Sequence, residues 1–252
     1  MVQLPAKARS TIVREFVSDV AMRCANSLDW VFLALILALA AAILPATAAK
    51  AQGQALPQET RGGPFVIEES GRSFETLQSA VNAIGDRRGT ISIAAGTYRQ
   101  CAVQTAGVVI YAAREYGTVT FDRTSCEGKA TLVLRGLGAE VRGITFSNIS
   151  VPDGNGAGIR LEKGALNVAY STFLNSQQGI LSGNDPAGRI YIMRSTFSGL
   201  GTCENSAGCA HSLYLGNYGE LTVRESRFER GRGGHYVKAR SAKVIIEDNS
   251  FD

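Results

Sequence analysis

From residue 74 onward, short apolar stretches alternate with polar bends, and five of those stretches close on one pattern. They are Val141–Phe146, Val168–Phe173, Ile192–Phe197, Val223–Phe228 and Ile246–Phe251, with Phe-to-Phe intervals of 27, 24, 31 and 23 residues. Two residues before the last four of these Phe residues stand Ser171, Ser195, Ser226 and Asn249. A hydroxyl or amide at a tight bend can bond its own backbone and that of its neighbour, so this column reads as a turn cap. Aligned on the Phe column, Gly158–Leu161 falls against Tyr236–Ala239 without a gap. Leu213–Leu215 joins them with one inserted residue, and Ile180 does so with a longer insertion around Asn184–Gly188.

Each repeat thus carries two or three short strands separated by glycine-rich turns. One repeat cannot bury its own apolar face, whereas stacked repeats form a continuous core. The pattern predicts an all-β parallel solenoid, a right-handed parallel β-helix, over residues 74–252, with loops of variable length at one corner. Short strands at such intervals also suit a β-sandwich, which would not require the same Phe and Ser/Asn columns to recur.

The start of this region adds a second signal. Phe74–Val81 reads as an amphipathic helix with Leu77 and Val81 one turn apart, and Gly89–Tyr98 reads as a strand followed by a turn. These segments resemble the opening of pectin lyase-like β-helix proteins, where F-x-T-L-Q-x-A-V and I-x-A-G-T-Y stretches cap and begin the helix. Pectin methylesterases and many pectate lyases open similarly. The resemblance spans residues 74–252 and implies a right-handed β-helix with a short N-terminal capping helix. It also makes uronic-acid polymers candidate substrates and calcium a candidate ion. It says little about activity, because one fold hosts many functions.

Ahead of the repeats, Trp30–Leu44 is an unbroken apolar run, followed by small residues with an A-x-A pattern at Ala49 and Ala51. At 15 residues the run suits a signal-peptide core and falls short of the roughly 20 that span a bilayer. Residues 1–51 therefore read as a leader cleaved near 51/52, with 52–73 as a linker, and the mature protein as periplasmic or extracellular. An uncleaved anchor is the alternative and would be the chain's one membrane contact. The long stretch before the run carries Glu15 and Asp19, and Met22–Arg23 makes a more ordinary start, so residues 1–21 read as a mis-called translation start.

Apolar residues make up 45% and charged residues 19% of the 252, which suits a globular core and argues against disorder. The formal charge of +4 comes without a basic block, so nucleic acid is not an expected partner. Cys24 lies in the leader, leaving Cys101, Cys126, Cys203 and Cys209. An even count in an exported chain favours disulfides. Of the three pairings, Cys203–Cys209 within one loop and Cys101–Cys126 about one repeat apart are favoured. No C-x-x-C spacing exists, so zinc is not expected.

Side chains alternate along a strand. With Ile159, Leu213 and Val237 inward, Arg160, Tyr214 and Lys238 point outward in one column. Arg240 projects from the same face, and Tyr236 stands two residues before Lys238. His211 and His235 both stand two positions before the aligned apolar residue and are expected to stack in successive coils. A lyase acting on an acidic sugar needs a cation for the carboxylate, a base for the neighbouring proton and an acid for the leaving oxygen. His211, His235, Lys238 and Arg240 supply catalytic types; Tyr214, Arg160 and Tyr236 supply binding types. The calcium-binding acidic cluster of pectate lyases and the paired aspartates of pectin methylesterases and polygalacturonases have no counterparts; Asp153, Asp185 and Asp248 are scattered. No cofactor is therefore expected.

Two functions remain open on the sequence: an exported enzyme acting on an acidic polysaccharide, with a lyase as the leading form, and a non-catalytic glycan-binding or envelope protein. Because Phe251 and Asp252 follow a Phe-column turn with no capping segment, the sequence reads as a fragment of a longer protein, with a covering partner as the alternative.

Overall fold

The structure, a computed structural model, describes residues 62–204 and 208–252. The leader, its cleavage point and the first part of the linker lie outside the described residues. About half of the described residues are in strands, and the one helix among them is Leu77–Ile84.

All the strands among the described residues lie in three sheets, of nine, seven and six strands. From Arg88 onward the chain visits the first, second and third sheet in strict rotation, so every third strand lies in the same sheet. Neighbours within each sheet are parallel across this whole region. The observed fold is thus all-β, built from parallel sheets, with one coil of chain giving one strand to each.

The apolar positions read from sequence line the interior. On the second sheet Tyr98, Phe121, Phe146, Phe173, Phe197, Phe228 and Phe251 stand in register. Their rings stack most closely at Phe173–Phe197, 4.7 Å apart and 4° from parallel. The first sheet contributes Ile91, Tyr111, Val141, Val168, Ile192 and Val223, and the third contributes Ile159, Ile180 and Leu213, all buried. Sequence inspection missed Tyr98 and Phe121, although Phe121 lies 25 residues before Phe146, inside the repeat interval.

Each stretch read as one strand ending in Phe is in fact two strands in two sheets. Gly138–Arg142 and Ile144–Ser147 are separated at Gly143, and Ala165–Ala169 and Thr172–Leu174 at Tyr170 and Ser171. The corner residues Gly143, Tyr170, Arg194, Glu225 and Asp248 all have positive φ, between 46° and 69°. One left-handed residue turns an extended chain sharply, and non-glycine residues adopt it at a cost. The Ser/Asn column offsets that cost. The backbone N–H of Ser171 donates to Ser195 Oγ, that of Ser195 to Ser226 Oγ, and that of Ser226 to Asn249 Oδ1. Each serine hydroxyl donates in turn to a carbonyl two residues back in its own coil.

The N-terminal boundary also differs from the sequence reading. The helix begins at Leu77, because Thr76 is its N-cap and accepts from the Ser79 N–H. Phe74 instead ends the strand Arg72–Phe74, which pairs antiparallel with Phe65–Ile67, itself antiparallel to Arg88–Ile93. Part of the stretch read as linker is therefore sheet, and Phe65 and Leu77 are fully buried against the first coil.

Two disulfides are present, Cys101–Cys126 and Cys203–Cys209. No helix among the described residues is long and apolar enough to cross a membrane.

Candidate functional site

The outer face of the third sheet carries the residues singled out by sequence. Pairing places Arg160, Leu181, Tyr214 and Lys238 in successive coils. Adjacent strands lie roughly 4.8 Å apart, so this column climbs from a guanidinium, over an apolar and an aromatic side chain, to an ammonium. Leu181 is the member that sequence alignment passed over, because the Asn184–Gly188 insertion obscures its coil. Leu181 belongs to a small apolar cluster with Ala130, Val133 and Ala157 on this outer face, and Tyr214 packs against it. Cys126, tied to Cys101 and bridged antiparallel to Ala130, packs against the same cluster.

A groove of about 430 Å³ opens along this column. Leu181 and Tyr214 line it together with Lys129, Arg160, Arg240, Asp153, Asn155 and Asn184. Lys238 Nζ lies 4.5 Å from the Tyr214 ring centroid and Arg240 Cζ lies 5.8 Å from it. Basic side chains are commonly matched with carboxylates, including Lys129 in the groove itself: Lys129 and Arg135 with Glu127 and Glu162, Arg142 with Glu140, Arg194 with Glu225. Neither Lys238 nor Arg240 has such a partner among the described residues. Arg160 Nε is buried without a hydrogen-bond partner, 3.9 Å from Glu162 Oε1. Lys238 and Arg240, without carboxylate partners beside the Leu181 and Tyr214 surface, suit an anionic group on a ligand with an apolar face, while Asp153 and Glu162 are the carboxylates nearby.

The two histidines stack as expected, with ring centroids 5.2 Å apart, but in unequal surroundings. His235 is exposed, whereas His211 is only 3% exposed. The His235 backbone N–H donates to His211 Nδ1 at 2.8 Å. That bond uses the imidazole lone pair and assigns the proton to Nε2 in the neutral ring. Burial, then the charges of Lys238 and His235, push the His211 pKa down to about 4, so it is neutral at pH 7. His211 also meets Tyr214 edge-on, with centroids 5.1 Å apart.

Tyr236 lies apart from this face. Its ring packs against Phe228 and Phe251, and its hydroxyl donates to Asp252 Oδ1 at 2.6 Å. At the corresponding positions of earlier coils a Cβ on Gly158 or Gly179 would come within 3 Å of Phe173 or Phe197, so this position points at the Phe column. Sequence alternation alone could not show this, because the residue sits where the chain enters the strand.

Among the described residues no three His, Cys, Asp or Glu side chains gather as a metal ion would need. The carboxylates of this face are instead engaged with cations, as at Glu162, or stand singly, as at Asp153. The calcium that the resemblance implied therefore finds no fitting donor set among them.

No protein-family model matches this chain, and no curated protein does. Among solved structures, a candidate glycosyl hydrolase from Parabacteroides merdae aligns at 10% identity with a TM-score of 0.28. The alignment covers 73% of this chain and 93% of that one, and at such a score it carries no argument about fold or chemistry.

Proposed function

We propose that this chain is an exported right-handed parallel β-helix protein that binds an acidic polysaccharide along the outer face of its third sheet. Right-handedness follows from the general preference of parallel strand connections, which is close to universal. The strict rotation through three sheets and the opening segments resembling pectin lyase-like proteins support the same fold. Export is supported by the apolar run Trp30–Leu44 and by two disulfides, which persist in oxidising compartments. The observation that carries the binding reading is the pair of cations, Lys238 and Arg240, converging on Tyr214 without a carboxylate. A sugar ring presenting apolar C–H groups to Leu181 and Tyr214, and carboxylates to Arg160, Lys238 and Arg240, would satisfy every group in the column.

Binding without cleavage is favoured over catalysis because the His211 lone pair is engaged and its ring is buried. The second reading, a polysaccharide lyase, rests on His235, which is exposed next to the same cations and would serve as the base. Titration with polygalacturonate, alginate and hyaluronan, alongside a neutral glucan, separates the readings. Saturable binding to acidic polymers without new unsaturated or reducing ends supports the first. Accumulating unsaturated ends that vanish in His235→Ala support the second, and no binding to any acidic polymer rejects both.

A further inference from the structure

We infer that His211 is the positioning residue of this face, fixing both the coil that carries Lys238 and Arg240 and the ring beneath them. The inference rests on reading the face as a polyanion site. His211 touches three parts of it at once. Its Nδ1 accepts the His235 N–H, three residues before Lys238, so the imidazole anchors the entry to strand Val237–Ala239. Its ring packs in a T-shaped contact against Tyr214, the aromatic that Lys238 and Arg240 cover. The preceding turn closes on it from above. Gly234 has φ +66°, and a Cβ there would lie 2.3 Å from His211 Nδ1 and 2.2 Å from the Ala210 carbonyl oxygen.

The coil is otherwise held here by ordinary strand bonds, Ser212 N–H to His235 O at 3.1 Å and Leu213 N–H to Tyr236 O at 2.9 Å. Those bonds fix height along the stack. The imidazole adds lateral position, because it is the side chain that links the turn to the Tyr214 ring. One coil below, Gln178 occupies the matching place two residues before Ile180; it is fully buried, and its Oε1 has no partner. The corner is polar over three coils, at His235, His211 and Gln178, and apolar at Ala157 one coil further down. The groups facing His211 are His235, Lys238 and Tyr214, so a neutral ring with Nδ1 free of a proton is the form that fits them.

The test uses His211→Leu, which removes the acceptor at similar volume, and His211→Asn, whose Oδ1 takes the place of Nδ1. Binding is measured with whichever of polygalacturonate, alginate and hyaluronan the wild type binds most tightly. Losing a buried acceptor is expected to weaken binding roughly tenfold in His211→Leu, with His211→Asn within about twofold of wild type. The salt dependence of binding should stay unchanged in both, because no charge at pH 7 is altered. Equal affinity in His211→Leu and wild type overturns the inference and leaves the site reading standing. Absence of wild-type binding overturns both. Should His211→Leu fail to fold, imidazole nitrogen chemical shifts of the wild type decide: a proton on Nε2 and a bare Nδ1 at pH 7 support the role, and the opposite tautomer or a charged ring overturns it.

Discussion

Lys238 Nζ stands 4.5 Å from the centre of the Tyr214 ring, one coil below it, with no carboxylate paired to it among the described residues. An ammonium in that position is held by the ring quadrupole, a contribution of roughly 0.5–2 kcal/mol depending on desolvation. Lys238→Ala or Arg240→Ala should each weaken binding of an acidic polysaccharide roughly two- to fivefold, as expected for solvent-accessible charges. Either change should also flatten the dependence of affinity on salt. Isothermal titration at several ionic strengths measures both.

The Phe column predicts where stability resides. Phe173 and Phe197 are fully buried and stacked on both sides by rings of neighbouring coils. Phe173→Ala should cost about 3–5 kcal/mol, read as a lower denaturant midpoint. Phe173→Leu, which keeps most of the volume, should cost less than half of that.

The serine ladder is a separate prediction. Ser195 accepts from Ser171 N–H and donates to Met193 O. Ser195→Ala leaves the buried Ser171 N–H without its partner, while Met193 O keeps the Tyr170 N–H, and should destabilise by about 1–3 kcal/mol. Ser195→Asn should recover much of this, since Asn249 fills the same place two column positions along the stack and bonds both the coil below and its own Glu247 carbonyl.

Acid should weaken the fold through His211. Its folded pKa is depressed to about 4 against an ordinary value near 6.5. Between those values the unfolded chain binds a proton that the folded chain does not. Stability is therefore greatest above pH 6.5, falls as pH drops toward 4, and loses no more from this group below that. His211→Asn should remove this part of the pH dependence, measurable as denaturant midpoints at pH 7 and pH 4.5.

Much of the fold was legible in the residues because a stacked coil repeats its core. The Phe and Ser/Asn columns recur in spite of uneven loops, and aligning them placed Tyr214 next to Lys238 and His211 next to His235. What stayed hidden has physical reasons. The corner at Tyr170, Arg194, Glu225 and Asp248 uses left-handed backbone in residues whose side chains give no sign of it, so two strands read as one. Tyr236 was misplaced because two-residue alternation fails where a strand begins. The different burial of the two histidines was not legible either, because it depends on the Gly233–Gly234 turn covering His211 and leaving His235 in solvent.

The central claim is that the polyanion site is the face of Arg160, Tyr214, Lys238 and Arg240, and not basic charge in general. The direct measurement compares Lys238→Glu/Arg240→Glu with Arg99→Glu/Arg114→Glu, an equal charge reversal at exposed arginines outside the groove. Affinity for the tightest-binding acidic polysaccharide should collapse in the first variant and stay within about twofold of wild type in the second. Equal loss in both, or retention in both, would contradict the account.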